Sequence, residues 1–127
     1  MLKSRMLGAM ASLFVGGAVG VFTRYFVALA VFSLFGGWLP WGTLVVNLTG
    51  CFLIGLFDAA VVSKGWGGPH GRMLLMTGFC GAYTTFSSLI LELNDLLKIS
   101  PFRGTLYLTL SVAAGLLLFR TGAALAR

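Results

Sequence analysis

Three acidic side chains, one histidine and two cysteines among 127 residues leave little from which a catalytic or metal centre could be built. General acid–base catalysis needs a paired carboxylate or a histidine with a partner, and a metal centre needs a cluster of nitrogen, sulfur or carboxylate ligands. Asp58, Glu92 and Asp95 form no such pair in the sequence, and His70 stands in a loop with no acidic or thiol neighbour. Cys51 and Cys80 both fall within apolar segments, where a thiol behaves as a small hydrophobe, so neither a disulfide framework nor a zinc site is indicated. There is no phosphate-cradling loop. An enzyme is not expected.

Charge is scarce as well. Only 9% of residues are charged, against about 25% in soluble domains, and 58% are hydrophobic, which marks an integral membrane protein. The formal net charge of +6 could suggest nucleic acid in a soluble chain. Here Lys3, Arg5, Lys64, Arg72, Lys98, Arg103, Arg120 and Arg127 lie near span ends or in loops rather than on one basic face, so they read as topology signals. No nucleic-acid partner is expected.

What remains is hydrocarbon in long runs. Crossing about 30 Å of bilayer takes roughly 20 helical residues, so the chain can supply four spans and short connections. The expected fold is an all-α membrane protein, a single domain over residues 1–127 with spans near 6–34, 42–62, 73–97 and 104–125. Lys3 and Arg5 before an apolar run look like the start of a signal peptide. That run continues to about Leu34, too long for one, and Ala9-Met10-Ala11 comes too early to be its cleavage site. It is read as a retained first span.

Polar groups at membrane depth are the informative exceptions. In the first span, Gly16 and Gly20 have the small-xxx-small spacing that admits a close helix neighbour. Arg24 either faces protein and water or snorkels to the headgroups with Tyr25 as an interfacial anchor. In the second span Thr43, Asn47 and Gly50 share one face, Asn47 being either a functional amide or glue between helices. Tyr107, Ser111 and Gly115 form a second stripe in the fourth span. The third span holds Thr77-Gly78-Phe79-Cys80-Gly81-Ala82-Tyr83-Thr84-Thr85-Phe86-Ser87-Ser88. Two glycines three apart and two adjacent threonines are poor helix material, so a break is expected. A broken helix in lipid leaves backbone groups that only protein or a polar cavity can satisfy. Half-helix ends at the midplane can hold ions. Close Gly–Thr packing between unbroken helices is the alternative.

Three runs carry a resemblance: Gly16-Gly17 with Gly20, Arg24 and Tyr25; Gly42-Thr43-Leu44 with Asn47, Gly50, Phe52 and Gly55; and Thr77-Gly78-Phe79 with Gly81, Thr84, Thr85, Phe86 and Ser87. Their order and spacing, in a chain of this length, resemble the Fluc fluoride channels, also called the CrcB family. The resemblance implies a four-helix subunit with a broken third helix, in an antiparallel dimer with two narrow fluoride pores and a structural Na⁺ at the interface. By that likeness Gly81 and Thr84 would offer backbone carbonyls to Na⁺, and Asn47 would donate a hydrogen bond in the pore. Phe86 would supply a pore phenyl, Thr43, Thr85, Tyr107 and Ser111 would line the polar path, and Arg24 would give positive potential at a vestibule. The partner would be an identical chain or a homologous subunit, and the location the plasma or inner membrane.

Two departures from the family pattern stand out. Leu89 occupies the place where a second pore phenyl is usual, and Gly115 stands where a third hydroxyl would continue the last stripe. The implied function is passive, fluoride-selective export. A small proton-coupled multidrug exporter has the same size, but it relies on a membrane-embedded Glu in its first span, where this chain has only Arg24. A non-transporting small membrane subunit would need neither polar stripe.

Overall fold

The first helix, α1 (Leu2–Phe35), is one unbroken stretch of 34 residues. No proline interrupts it, and at about 1.5 Å per residue it reaches about 50 Å, beyond the hydrocarbon core. It ends where Gly36 adopts φ 73, with its N–H closing on the Phe32 carbonyl. That left-handed turn is open to glycine without a Cβ penalty. After Pro40 the chain turns back into α2 (Trp41–Ser63), whose last residues, Ala59–Ser63, widen into π geometry. A glycine-rich connection leads to α3 (residues 68–83). It starts with Pro69 in its first turn, runs through nine π-helical residues, Arg72–Cys80, and ends in a single α turn, Gly81–Tyr83.

Thr84 (φ −84, ψ 159) and Thr85 (φ −150, ψ 114) are extended. The chain then re-enters a helix, α4 (Phe86–Ile99), capped by the Thr85 hydroxyl, which accepts from the Ser88 N–H at 3.3 Å. Ser100 and Pro101 form the next start signal: the Ser100 hydroxyl accepts from the Arg103 N–H at 3.3 Å, and proline takes the first helical position. The last helix, α5 (Pro101–Leu125), contains a further π turn at Leu110–Ala114. All 127 residues, Met1–Arg127, are described by this computed structural model. Four segments are long and apolar enough to cross a membrane: Leu2–Phe35, Trp41–Ser63, Gly68–Ile99 and Pro101–Leu125. The chain is an all-helical, multi-pass membrane protein.

Glycines set the helix spacings. A Cβ on Gly16 would lie 2.2 Å from the Leu74 carbonyl oxygen, and one on Gly20 would lie 2.5 Å from that of Phe79, so α1 and α3 touch backbone to backbone. The α2–α5 contact repeats the device in both directions. Gly55 faces the Phe119 carbonyl and Gly122 faces the Phe52 carbonyl, each 2.2 Å from a Cβ that is not there. A side-chain core of Leu39, Leu44, Leu89, Leu93, Leu96 and Tyr107 closes one end of the bundle. There the Trp38 carbonyl accepts from both Nε and Nη2 of Arg103, whose guanidinium also lies over the Trp38 ring, tying the α1–α2 connection to the start of α5. Gly16 and Gly20 are the only buried residues of α1, which leaves most of that helix facing outward.

Candidate functional site

The site is organised by a contact between α2 and the extended pair. Asn47, in the second turn of α2, uses its carboxamide as a neighbouring strand would use its backbone. The Thr85 N–H donates to Asn47 Oδ1 at 2.8 Å, and Asn47 Nδ2 donates to the Thr85 carbonyl at 3.0 Å. The orientation of the amide follows from its partners, since the N–H requires the oxygen and the carbonyl requires the nitrogen. The extended backbone of Thr85 is what makes both groups available to one side chain.

Two carbonyls are affected. In a continuous helix the Thr85 N–H would close on the Gly81 carbonyl; here it goes to Asn47, so the Gly81 oxygen loses its usual donor. The Thr84 carbonyl accepts no hydrogen bond. The Thr84 N–H and hydroxyl both return to the Cys80 carbonyl, at 3.0 and 2.8 Å. Gly50, on the same face of α2 as Asn47, admits the Thr84 methyl, which would lie 2.1 Å from a Cβ at that position.

Two cavities flank this junction. The larger, 330 Å³, is bounded by α2, α3, α4 and α5; Asn47, Gly81, Thr84, Thr85, Phe86, Leu89 and Ser111 line it, together with apolar groups such as Ile54 and Val112. The smaller, 240 Å³, is lined by Arg24, Tyr25, Thr43, Thr85 and Ser88 with Ala28, Leu29 and Val46. Thr85 borders both. Most residues singled out in the sequence therefore meet around one junction, with Arg24 and Thr43 on its far side from Ser111 and Leu89. Phe86 is 75% exposed at the mouth of the larger cavity, and Gly81 is exposed beside it.

Tyr107 borders neither cavity. It is fully buried, and its hydroxyl donates to Glu92 Oε2 at 2.8 Å while Thr43 donates to Glu92 Oε1 at 2.8 Å. Glu92 thus joins the two polar stripes. In the sequence it counted only as one of three unpaired carboxylates; an ionisable side chain at membrane depth was the signal that could have singled it out. Ser111 reaches the larger cavity, but its hydroxyl donates to the Tyr107 carbonyl at 2.7 Å. The Thr85 hydroxyl donates to Ser88 Oγ at 3.1 Å. Of the donors facing the larger cavity, the second N–H of Asn47 Nδ2 takes no part in any intrachain hydrogen bond.

Chemically, the larger cavity offers an amide N–H and the edge of an exposed phenyl ring, both suited to an anion. Gly81 and Thr84 also line it, and their carbonyl oxygens, without a hydrogen-bond donor, are ligands of the kind that suits a hard cation such as Na⁺. Those two oxygens are compatible with cation ligation but too few to replace a hydration shell, so one chain alone does not complete a cation site.

Comparison with known proteins gives a consistent result. A family model described as CrcB-like protein, Camphor Resistance (CrcB), matches residues 11–123. The fluoride-specific ion channel FluC of Chlorobium phaeobacteroides (strain BS1) is 47% identical over 113 residues, 88% of each chain. The protein of the same name from Hahella chejuensis (strain KCTC 2396) is 42% identical over 113 residues, covering 88% of this chain and 89% of the relative. That from Prosthecochloris aestuarii (strain DSM 271 / SK 413) is also 42% identical, over 88% of each.

Proposed function

The chain belongs to the CrcB family, and from that membership and the geometry of the Asn47–Thr85 junction we propose that it is a fluoride-selective channel for passive export. The family is one of ion channels, and the chain is not an enzyme. Membership carries the choice of fluoride. Within the site, the unused Asn47 N–H on the larger cavity carries the mechanism, because a small, strongly hydrated anion needs donors at close range to replace its water.

In this reading fluoride meets positive potential from Arg24 at the smaller cavity and passes the Thr85 hydroxyl. It is then held by the Asn47 N–H and the positive edge of the Phe86 ring. Ser111 and Thr43 belong to the polar wall, and Tyr107 stands behind it, buried and bonded to Glu92. For the Thr43 hydroxyl to serve an anion it must turn away from Glu92, whose carboxylate accepts it. Leu89 supplies no ring edge. A negative cell interior drives the anion outward at about 2.3 kcal/mol per charge for each 100 mV, so no pump is required. The membrane is the plasma membrane, or the inner one of a cell with two.

The working unit is an antiparallel dimer. The exposure of Phe86 and Gly81 beside the cavity supports a second chain as its missing wall. Gly81 and Thr84 would supply carbonyl oxygens to a structural Na⁺ at that interface, two from each chain. When bound, the ion contributes fixed positive charge near the anion path. The chain's own part is to hold those carbonyls out of the helix ladder.

The test is fluoride efflux. The purified chain is reconstituted into potassium-loaded liposomes, valinomycin is added, and release is followed with a fluoride electrode. Fluoride should leave faster than from protein-free vesicles, chloride should not follow, and a proton gradient should make no difference. Release no faster than from protein-free vesicles would overturn the channel reading, and proton-dependent release would indicate a coupled exporter.

A further inference from the structure

Asn47 contacts more than a cavity. It holds both main-chain groups of Thr85, residues 38 apart in the chain, at 2.8 and 3.0 Å. Without that side chain, the Thr85 N–H would have one ready acceptor, the Gly81 carbonyl, since the turn Gly81–Tyr83 is already helical and Thr84 still bonds to Cys80. Within a membrane span, closing the ladder on the next helical carbonyl satisfies that amide with a partner already in place, which a cavity water would have to displace. Gly50 supports the same geometry by admitting the Thr84 methyl. Thr85 therefore has two alternative partners: the Asn47 carboxamide, which leaves the Gly81 oxygen free, and Gly81 itself, which leaves no oxygen there for a cation.

We propose that Asn47 is the positioning residue for the helix-three junction. Its side chain keeps Thr85 extended and the Gly81 carbonyl free, and so sets the affinity of the cation site as well as facing the anion cavity. The second part rests on the sodium reading given above; the first does not. One amide thereby links the two ion sites. Its oxygen and one N–H hold Thr85, and its other N–H is left without an intrachain partner on a residue that lines the larger cavity.

The experiment compares the full-length parent with Asn47→Ala, each reconstituted in lipid and checked for assembly by gel filtration. Thr84 and Thr85 ¹³C shifts are read by solid-state NMR, and the Na⁺ concentration that half-maximally raises thermal stability is measured. In the parent both threonines should show extended shifts. In Asn47→Ala the Thr85 shifts should move toward helical values, and the Na⁺ midpoint should rise at least about tenfold, which corresponds to about 1.4 kcal/mol. Parental shifts in an assembled Asn47→Ala protein would overturn the positioning role. Helical shifts in Asn47→Ala support the positioning role whatever Na⁺ does; an unchanged Na⁺ midpoint, or a parent that does not respond to Na⁺, would overturn the sodium assignment to Gly81 and Thr84. Should Asn47→Ala fail to assemble, Asn47→Gln serves instead, because one added methylene moves the amide off Thr85. It should give the same displacement, and parental shifts in it would overturn the proposal.

Discussion

At the scale of single residues, the two roles proposed for Asn47 can be separated by chemistry. Aspartate has nearly the same shape. Ionised, it offers acceptors only and puts a negative charge beside the anion; protonated, its single O–H goes to the Thr85 carbonyl while the other oxygen still accepts the Thr85 N–H. Either way no donor faces the larger cavity. Asn47→Asp should therefore assemble yet release fluoride at least about tenfold more slowly, the scale of a lost hydrogen bond to a charged group at about 1.5–3 kcal/mol. Efflux at the parental rate from an assembled protein would remove Asn47 from the anion path. Leu89 allows a complementary test. It is 6% exposed, packed with Leu93, Leu96 and Tyr107, and it also borders the 330 Å³ cavity. Leu89→Phe should restore a ring edge at the place where the family pattern has one, and the cavity gives the larger side chain room. Fluoride efflux should equal or exceed the parent's. Slower efflux from a well-folded variant would show that overpacking, typically about 1–3 kcal/mol, outweighs the ring edge.

At the scale of helices, glycine acts through the absence of a Cβ, and two positions show opposite consequences. A methyl on Gly55 would meet the Phe119 carbonyl oxygen at 2.2 Å, a backbone atom that cannot rotate away. Gly17, one residue from the α1–α3 contact, has nothing within 4 Å of its would-be Cβ. Gly55→Ala should lower stability by about 1–3 kcal/mol as α2 and α5 are forced apart. Gly17→Ala should be neutral or stabilising by up to about 1 kcal/mol through helix propensity. Thermal unfolding in detergent, followed by gel filtration, reads both. The glycine spacing at Gly16 and Gly20 was visible as a close-approach motif. That Gly55 and Gly122 face carbonyls of each other's helix was not, because spacing along one helix does not say which neighbour it meets.

At the scale of the whole molecule, four spans put both termini and the α2–α3 connection on one side of the membrane. That side carries Lys3, Arg5, Lys64, Arg72, Arg120 and Arg127, and the other carries Lys98 and Arg103. Arginine and lysine near span ends favour the cytoplasm, so the chain should insert mainly with its termini inside. Labelling of an introduced C-terminal thiol by an impermeant reagent measures this, and equal labelling from both sides would show that the bias is ineffective. In the proposed antiparallel dimer, a fixed orientation would call for an oppositely inserted homologue as the partner. Equal insertion would allow two copies of this chain.

The class of protein was legible in the sequence because it depends on composition and run length. Four long apolar segments with few charges read as helices across a bilayer, the structure in which a span satisfies its own backbone. The residues of the candidate site were legible as polar exceptions within those runs: Arg24, Thr43, Asn47, the Gly-Thr stretch and Ser111. Only the tertiary structure decided who meets whom. It gives both backbone groups of Thr85 to Asn47, 38 residues away, takes Tyr107 out of the cavities, and makes Glu92 the shared acceptor for Thr43 and Tyr107, 49 and 15 residues from it. The reason is physical. In hydrocarbon a polar group's state depends on the partner that satisfies it, and that partner is set by the packing of helices that are distant in sequence.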